Sequence, residues 1–80
     1  MKAKIHVTLK NGVLDPQGRA IAGALHSMGF PQVDEVRQGK YIELDIKETD
    51  RKKAEAQVEK MCAGLLANTV IENYRYELSE

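Results

Sequence analysis

The apolar pattern changes period across the stretch Leu9-Lys10-Asn11-Gly12-Val13-Leu14-Asp15-Pro16-Gln17-Gly18, and that change constrains the fold more than any other feature. Before it, Ala3, Ile5, Val7 and Leu9 alternate with Lys4, His6, Thr8 and Lys10. A period of two with one apolar face predicts a strand packed on one side only. After it, Ile21, Ala24, Leu25 and Met28 recur at helical spacing and form one stripe. Asp15 is placed to accept hydrogen bonds from the first free N–H groups of that helix. Pro16 suits its first position, where a missing N–H costs nothing. Gly29 supplies a left-handed closing residue and Pro31 prevents continuation. The loop between strand and helix is more polar than a turn requires.

Small side chains mark this first helix: Gly18 and Gly23 among Ala20, Ala22 and Ala24. They permit close approach of another backbone, either the chain's own sheet or a partner, and the first is the simpler expectation. Further on, Ile42, Leu44 and Ile46 alternate with Glu43, Asp45 and Lys47, a clear strand. Val33 to Arg37 is either a shorter strand joined through Gln38-Gly39-Lys40 or the first half of one long strand bent at Gly39. A second helix begins at Thr49 or Asp50 and ends near Asn68. Its inward stripe is expected to be Ala54, Val58, Met61, Cys62 and Leu65. A last strand is expected over Val70 to Leu78, with Val70, Tyr74, Tyr76 and Leu78 on one face beside Glu72. This order predicts one α+β domain over residues 1–80, a ferredoxin-like β-α-β(-β)-α-β chain with both helices packed on one face of an antiparallel sheet.

Eighty residues bury only about 60% of their unfolded surface, so such a core is marginal. Domains of this size are commonly supported by disulfides, metal or association. Cys62 is the only cysteine, and the two histidines show no ligand spacing with it, so metal is not expected and association is. Twelve basic and twelve acidic side chains cancel without forming blocks. That balance lacks the electrostatic footprint of nucleic-acid binding. No apolar run approaches membrane-spanning length and no signal peptide opens the chain, so a cytoplasmic protein is expected. Lys10-Asn11-Gly12 before a helix N-terminus has some character of an anion cradle, but Asp15 would compete with the anion. No triad or Cys-His arrangement is visible, and Cys62 and His6 read as a core thiol and a solvated side chain. Catalytic residues are expected to be absent, and the chain reads as a binding or scaffolding module.

Three blocks carry a family resemblance: Val7 to Gly18; Val36-Arg37-Gln38-Gly39-Lys40 followed by Glu43-Leu44; and Cys62 with Leu65-Leu66-Ala67-Asn68 and Val70-Ile71-Glu72. Together they resemble PurS, the small subunit of phosphoribosylformylglycinamidine synthase, although Thr69 stands where many members would carry proline. The resemblance implies a noncatalytic subunit in purine biosynthesis, forming a dimer or tetramer with itself. It implies partners as well: a PurQ glutaminase that releases ammonia and a PurL synthetase that uses ATP and Mg²⁺ to convert formylglycinamide ribonucleotide to the amidine. No cofactor is expected on this chain alone. Lys10, Asn11, Gly12, Asp15, Gln17 and Gly18 are the expected subunit-contact residues in the first loop and helix. Tyr74 and Tyr76 are expected either at an interface, where tyrosine is enriched, or at the rim of the core with their hydroxyls outward. The alternative from another class is an ACT-like regulatory module binding an amino acid at a dimer interface, since it shares the expected topology.

Overall fold

A computed structural model describes all 80 residues of the chain. Strand β1 (Lys2–Leu9) is central, with β2 (Gly39–Asp45) on one side and β3 (Glu72–Ser79) on the other, both antiparallel to it. Two helices, α1 (Pro16–Ser27) and α2 (Arg51–Met61), connect the strands, and a π-helical turn, Cys62–Leu66, prolongs the second. The α+β class and the order of elements are those the sequence predicts.

The expected one-sided strand is realised in β1. Ala3, Ile5 and Val7 are completely buried, while Lys2, Lys4, His6 and Thr8 lie on the other face. Register carries both faces across the sheet: Ile5 stands between Ile42 and Tyr76, and His6 between Tyr41 and Arg75. Helix α2 covers the apolar side. Asp50 caps it by accepting from the N–H groups of Lys52 and Lys53 at 2.9 and 3.5 Å, and Ala54, Val58 and Cys62 are buried against Ala3, Ile5, Val7 and Leu78. Burying a side chain such as Ile5 or Val58 stabilises by about 1.5–3 kcal/mol, so these few residues hold most of the fold together.

Four expectations need correction. Leu65 and Met61 are not part of the inward stripe, being 84% and 37% exposed. The Ala67 N–H donates to the Cys62 carbonyl, an i→i+5 bond that widens the last turn. The wider turn carries Leu65 outward and brings Leu66 and Ala67 to the core. At β3, Val70 and Ile71 precede the strand rather than opening it. Asn68 makes the turn, its side chain accepting from Val70 N–H and its carbonyl accepting from Ile71 and Glu72. Val33 to Gln38 forms neither half of a hairpin nor part of a bent strand, and remains outside the sheet.

The fourth correction concerns α1. None of the eight core residues belongs to it, and Ile21 and Met28, half of its expected inward stripe, are 40% and 69% exposed. The helix stands away from the sheet instead of lying on it. The molecule accordingly measures 49 × 26 × 14 Å with a radius of gyration of 16.1 Å. A compact domain of this length has about 12 Å. The side of the sheet nearest β2 is correspondingly bare, with Ile42, Leu44 and Ile46 only partly buried.

Candidate functional site

The loop between β1 and α1 is organised by two side chains, one inside it and one 22 positions beyond it in sequence. Asp15 is 6% exposed and caps α1, one carboxylate oxygen accepting from Gly18 N–H at 2.8 Å. Its other oxygen accepts from Gln38 N–H at 2.9 Å, tying the helix start to the segment that leads into β2. Arg37 completes the arrangement. Its guanidinium donates to the carbonyls of Lys10, Leu9 and Val13 at 2.9, 3.0 and 3.2 Å. An arginine fork can serve several acceptors at once, which an ammonium on a flexible stem does less well. The N–H groups of Gln38 and Gly18, with the Arg37 guanidinium nearby, hold the Asp15 carboxyl below its usual range against the opposing effect of burial.

These bonds bring six of the expected contact residues together. Lys10 is half-buried, its N–H donating to the Ile71 carbonyl at 2.8 Å. Asn11 and Gly12 form the exposed tip, where Gly12 has a φ of 87° that ordinary side chains rarely adopt. Gln17 is exposed on the first helical turn, and Gly18 is buried beneath it. A Cβ at Gly18 would collide with the Val36 carbonyl oxygen, so only glycine allows this approach. The small residue noted in the sequence thus admits the chain's own Val36 segment, not its sheet. Beside it a cleft of about 470 Å³ opens between α1 and residues 34–37.

Tyr74 and Tyr76 lie elsewhere, beneath α2. Their hydroxyls donate to the two oxygens of Glu59 at 2.7 and 3.1 Å. The bond to Glu59 and burial push the Tyr74 phenol up to about 12. Burial and the same carboxylate raise Tyr76. Burial, with Glu59 near, also raises the Cys62 thiol, which disfavours the nucleophilic thiolate. Chemically the site can hold a shape and present hydrogen-bonding groups. Its helix N-terminus is already occupied by Asp15, so an arriving anion meets a carboxylate. Nowhere are three or more His, Cys, Asp or Glu side chains grouped to hold a metal ion, and no helix is long and apolar enough to cross a membrane.

The sequence did not single out Arg37: Val33 to Arg37 read as either a short strand of a hairpin or half of a bent strand, and its three carbonyl partners, at the end of β1 and in the loop after it, carry no pattern pointing to it. Its only signal was membership of the second resemblance block.

Comparison with known proteins agrees in one direction. The family model described as PurS: Phosphoribosylformylglycinamidine (FGAM) synthase matches residues 2–80. The phosphoribosylformylglycinamidine synthase subunit PurS of Bacillus subtilis (strain 168) is 56% identical over 79 residues, spanning 99% of this chain and 93% of that protein. A crystal structure of Bacillus subtilis PurS superposes with a TM-score of 0.89, covering 99% of this chain and 98% of the other. A structure of PurLQS from Thermotoga maritima contains a chain 34% identical, with a TM-score of 0.86 and coverage of 95% and 93%.

Proposed function

Because the chain belongs to the PurS family of phosphoribosylformylglycinamidine synthase subunits, we propose that it is a noncatalytic, cytoplasmic structural subunit bridging a PurL synthetase and a PurQ glutaminase. In that setting it supports ammonia transfer while the complex, using ATP and Mg²⁺, converts formylglycinamide ribonucleotide to the amidine in purine biosynthesis. The observation that carries this reading is the mismatch between α1 and its own sheet. Ile21 of the helix and Met28 at its C-cap are exposed, while Ile42 and Leu44 of β2 and Ile46 just after it are half-covered. A chain with so small a core gains from covering both surfaces, and covering one such side chain fully is worth about 1.5–3 kcal/mol. Association with a second copy supplies complementary surfaces at once, since each copy offers an uncovered helix and an uncovered sheet margin. Asn11 at the exposed loop tip and Gln17 on the first helical turn, held in place by Asp15 and Arg37, supply polar contacts for the larger subunits.

The test joins stability to assembly. Asn11→Ala with Gln17→Ala is expected to leave the thermal melt of the isolated chain unchanged while weakening its co-elution with the synthetase and glutaminase subunits on a sizing column. Undiminished co-elution would remove the loop from the contact surface. Calorimetric silence toward free amino acids is expected, which an ACT-like regulatory domain would not give.

A further inference from the structure

The angle at which α1 leaves the sheet is held by few groups, and they are polar. The helix contributes nothing to the core. Behind it, the His26 ring bonds the Val33 carbonyl at 2.6 Å, but Val33 belongs to a segment that is itself outside the sheet. In front of it, the loop contributes one internal backbone bond, Val13 N–H to Lys10 carbonyl at 3.1 Å. Lys10 N–H ties the start of the loop to the Ile71 carbonyl at 2.8 Å, and the ties that reach α1 and residues 37–38 run through Asp15 and Arg37. Asp15 grips α1 and the residue preceding β2 with separate oxygens, and Arg37 grips the end of β1 and the loop. Both side chains therefore join pieces of chain that the buried core does not join.

We infer that Asp15 and Arg37 form a latch: they are positioning residues that fix the direction of α1 relative to the sheet and so aim its apolar stripe at the covering subunit. The consequence for assembly rests on the function proposed above; the latch itself does not. The chemistry makes conservative substitutions informative. Arg37→Lys keeps the charge but replaces a planar fork by a point donor on a flexible stem. Asp15→Asn keeps one acceptor oxygen and turns a donor amide toward the other N–H, so either Gly18 or Gln38 is released.

The experiment uses the full chain, labelled with ¹⁵N, and compares residual dipolar couplings of α1 amides with those of sheet amides. In the unaltered protein one alignment is expected to fit both. In Arg37→Gln, Arg37→Lys and Asp15→Asn the α1 couplings are expected to shrink to about half or less, while hydrogen exchange in the sheet is unchanged, a combination that general destabilisation does not produce. If the stripe then points correctly about a tenth of the time in each of two copies, self-association weakens about a hundredfold. Should Arg37→Gln also lose sheet protection, the two conservative variants decide. Retained alignment of α1 in these variants overturns the latch whatever happens to association. Loosened α1 with undiminished association overturns its positioning role. The function proposed above fails by a different route, if Ile21→Ser with Met28→Ser leaves all association intact.

Discussion

The two helices solve the same problem in opposite ways. Helix α2 with the π-helical turn that prolongs it buries Ala54, Val58 and Cys62 completely and places Glu59 where two tyrosine hydroxyls donate to it. Its position follows from apolar area removed from water, which is non-directional and tolerant of detail. Helix α1 buries only Gly18 and is held at its start by an aspartate and an arginine. Its position depends on directed hydrogen bonds, each with a geometry to satisfy. The contrast teaches that one half of this chain is positioned by apolar packing and the other by directed hydrogen bonds.

The largest test of that contrast is an equal cut in each half. Ile5→Ala is expected to cost about 2–5 kcal/mol in urea unfolding, because a completely buried side chain leaves a cavity. Ile21→Ala, 40% exposed, is expected to move the stability of the dissociated chain by no more than about 0.5 kcal/mol. Similar losses at both positions would erase the distinction.

A smaller effect separates two glycines of α1. At Gly23 an added Cβ meets nothing within 4 Å, so Gly23→Ala should stabilise the chain by up to about 1 kcal/mol through helix propensity. At Gly18 the same methyl strikes the Val36 carbonyl, and overpacking of this kind costs about 1–3 kcal/mol. Gly18→Ala should therefore lower the melting temperature where Gly23→Ala raises it. Matching signs would mean the Val36 segment yields freely.

The smallest effects are in pH. Asp15 has a lowered folded pKa, so its contribution is present above the unfolded value of 3.8 and is lost as pH falls from there through the folded value. The α1 amide signals should hold from neutral pH to near 4 and disperse only in stronger acid. Tyr74, raised from 10.0 to about 12, behaves in the opposite sense. Its contribution is complete below the unfolded value and disappears as pH rises toward 12, which ultraviolet titration of the phenolates checks. A Tyr74 ionising near 10 would mean that the Glu59 bond is absent in solution.

Much of this architecture was legible in advance because the relevant physics is local. Alternation fixes the buried face of β1, since successive side chains in a strand must point apart. Asp15-Pro16 and Asp50 mark helix starts, because free N–H groups need acceptors there. Two of the misreadings come from hydrogen bonds that periodicity does not register, one local and one between distant parts of the chain. Leu65 leaves the stripe through one i→i+5 bond at Cys62, and Val33 to Gln38 stays out of the sheet where Gln38 N–H and the Arg37 side chain are drawn to the loop. Within the site, the loop residues from Lys10 to Gly18 were visible as a cluster because they are neighbours in sequence. Arg37 was not, because its role exists only once residues 9–13 are close to it in space.

From the sequence alone came the class of fold, the first strand and the core of the other two, the two helix starts and a single thiol placed in the core. All of these depend on periodicity, composition and capping, which act over a few residues. Only the tertiary structure decided that α1 stands clear of its own sheet and that Asp15 and Arg37 hold it there. An apolar stripe specifies that a helix must be covered, and not by what; the partner is chosen by geometry that directed bonds impose between distant parts of the chain.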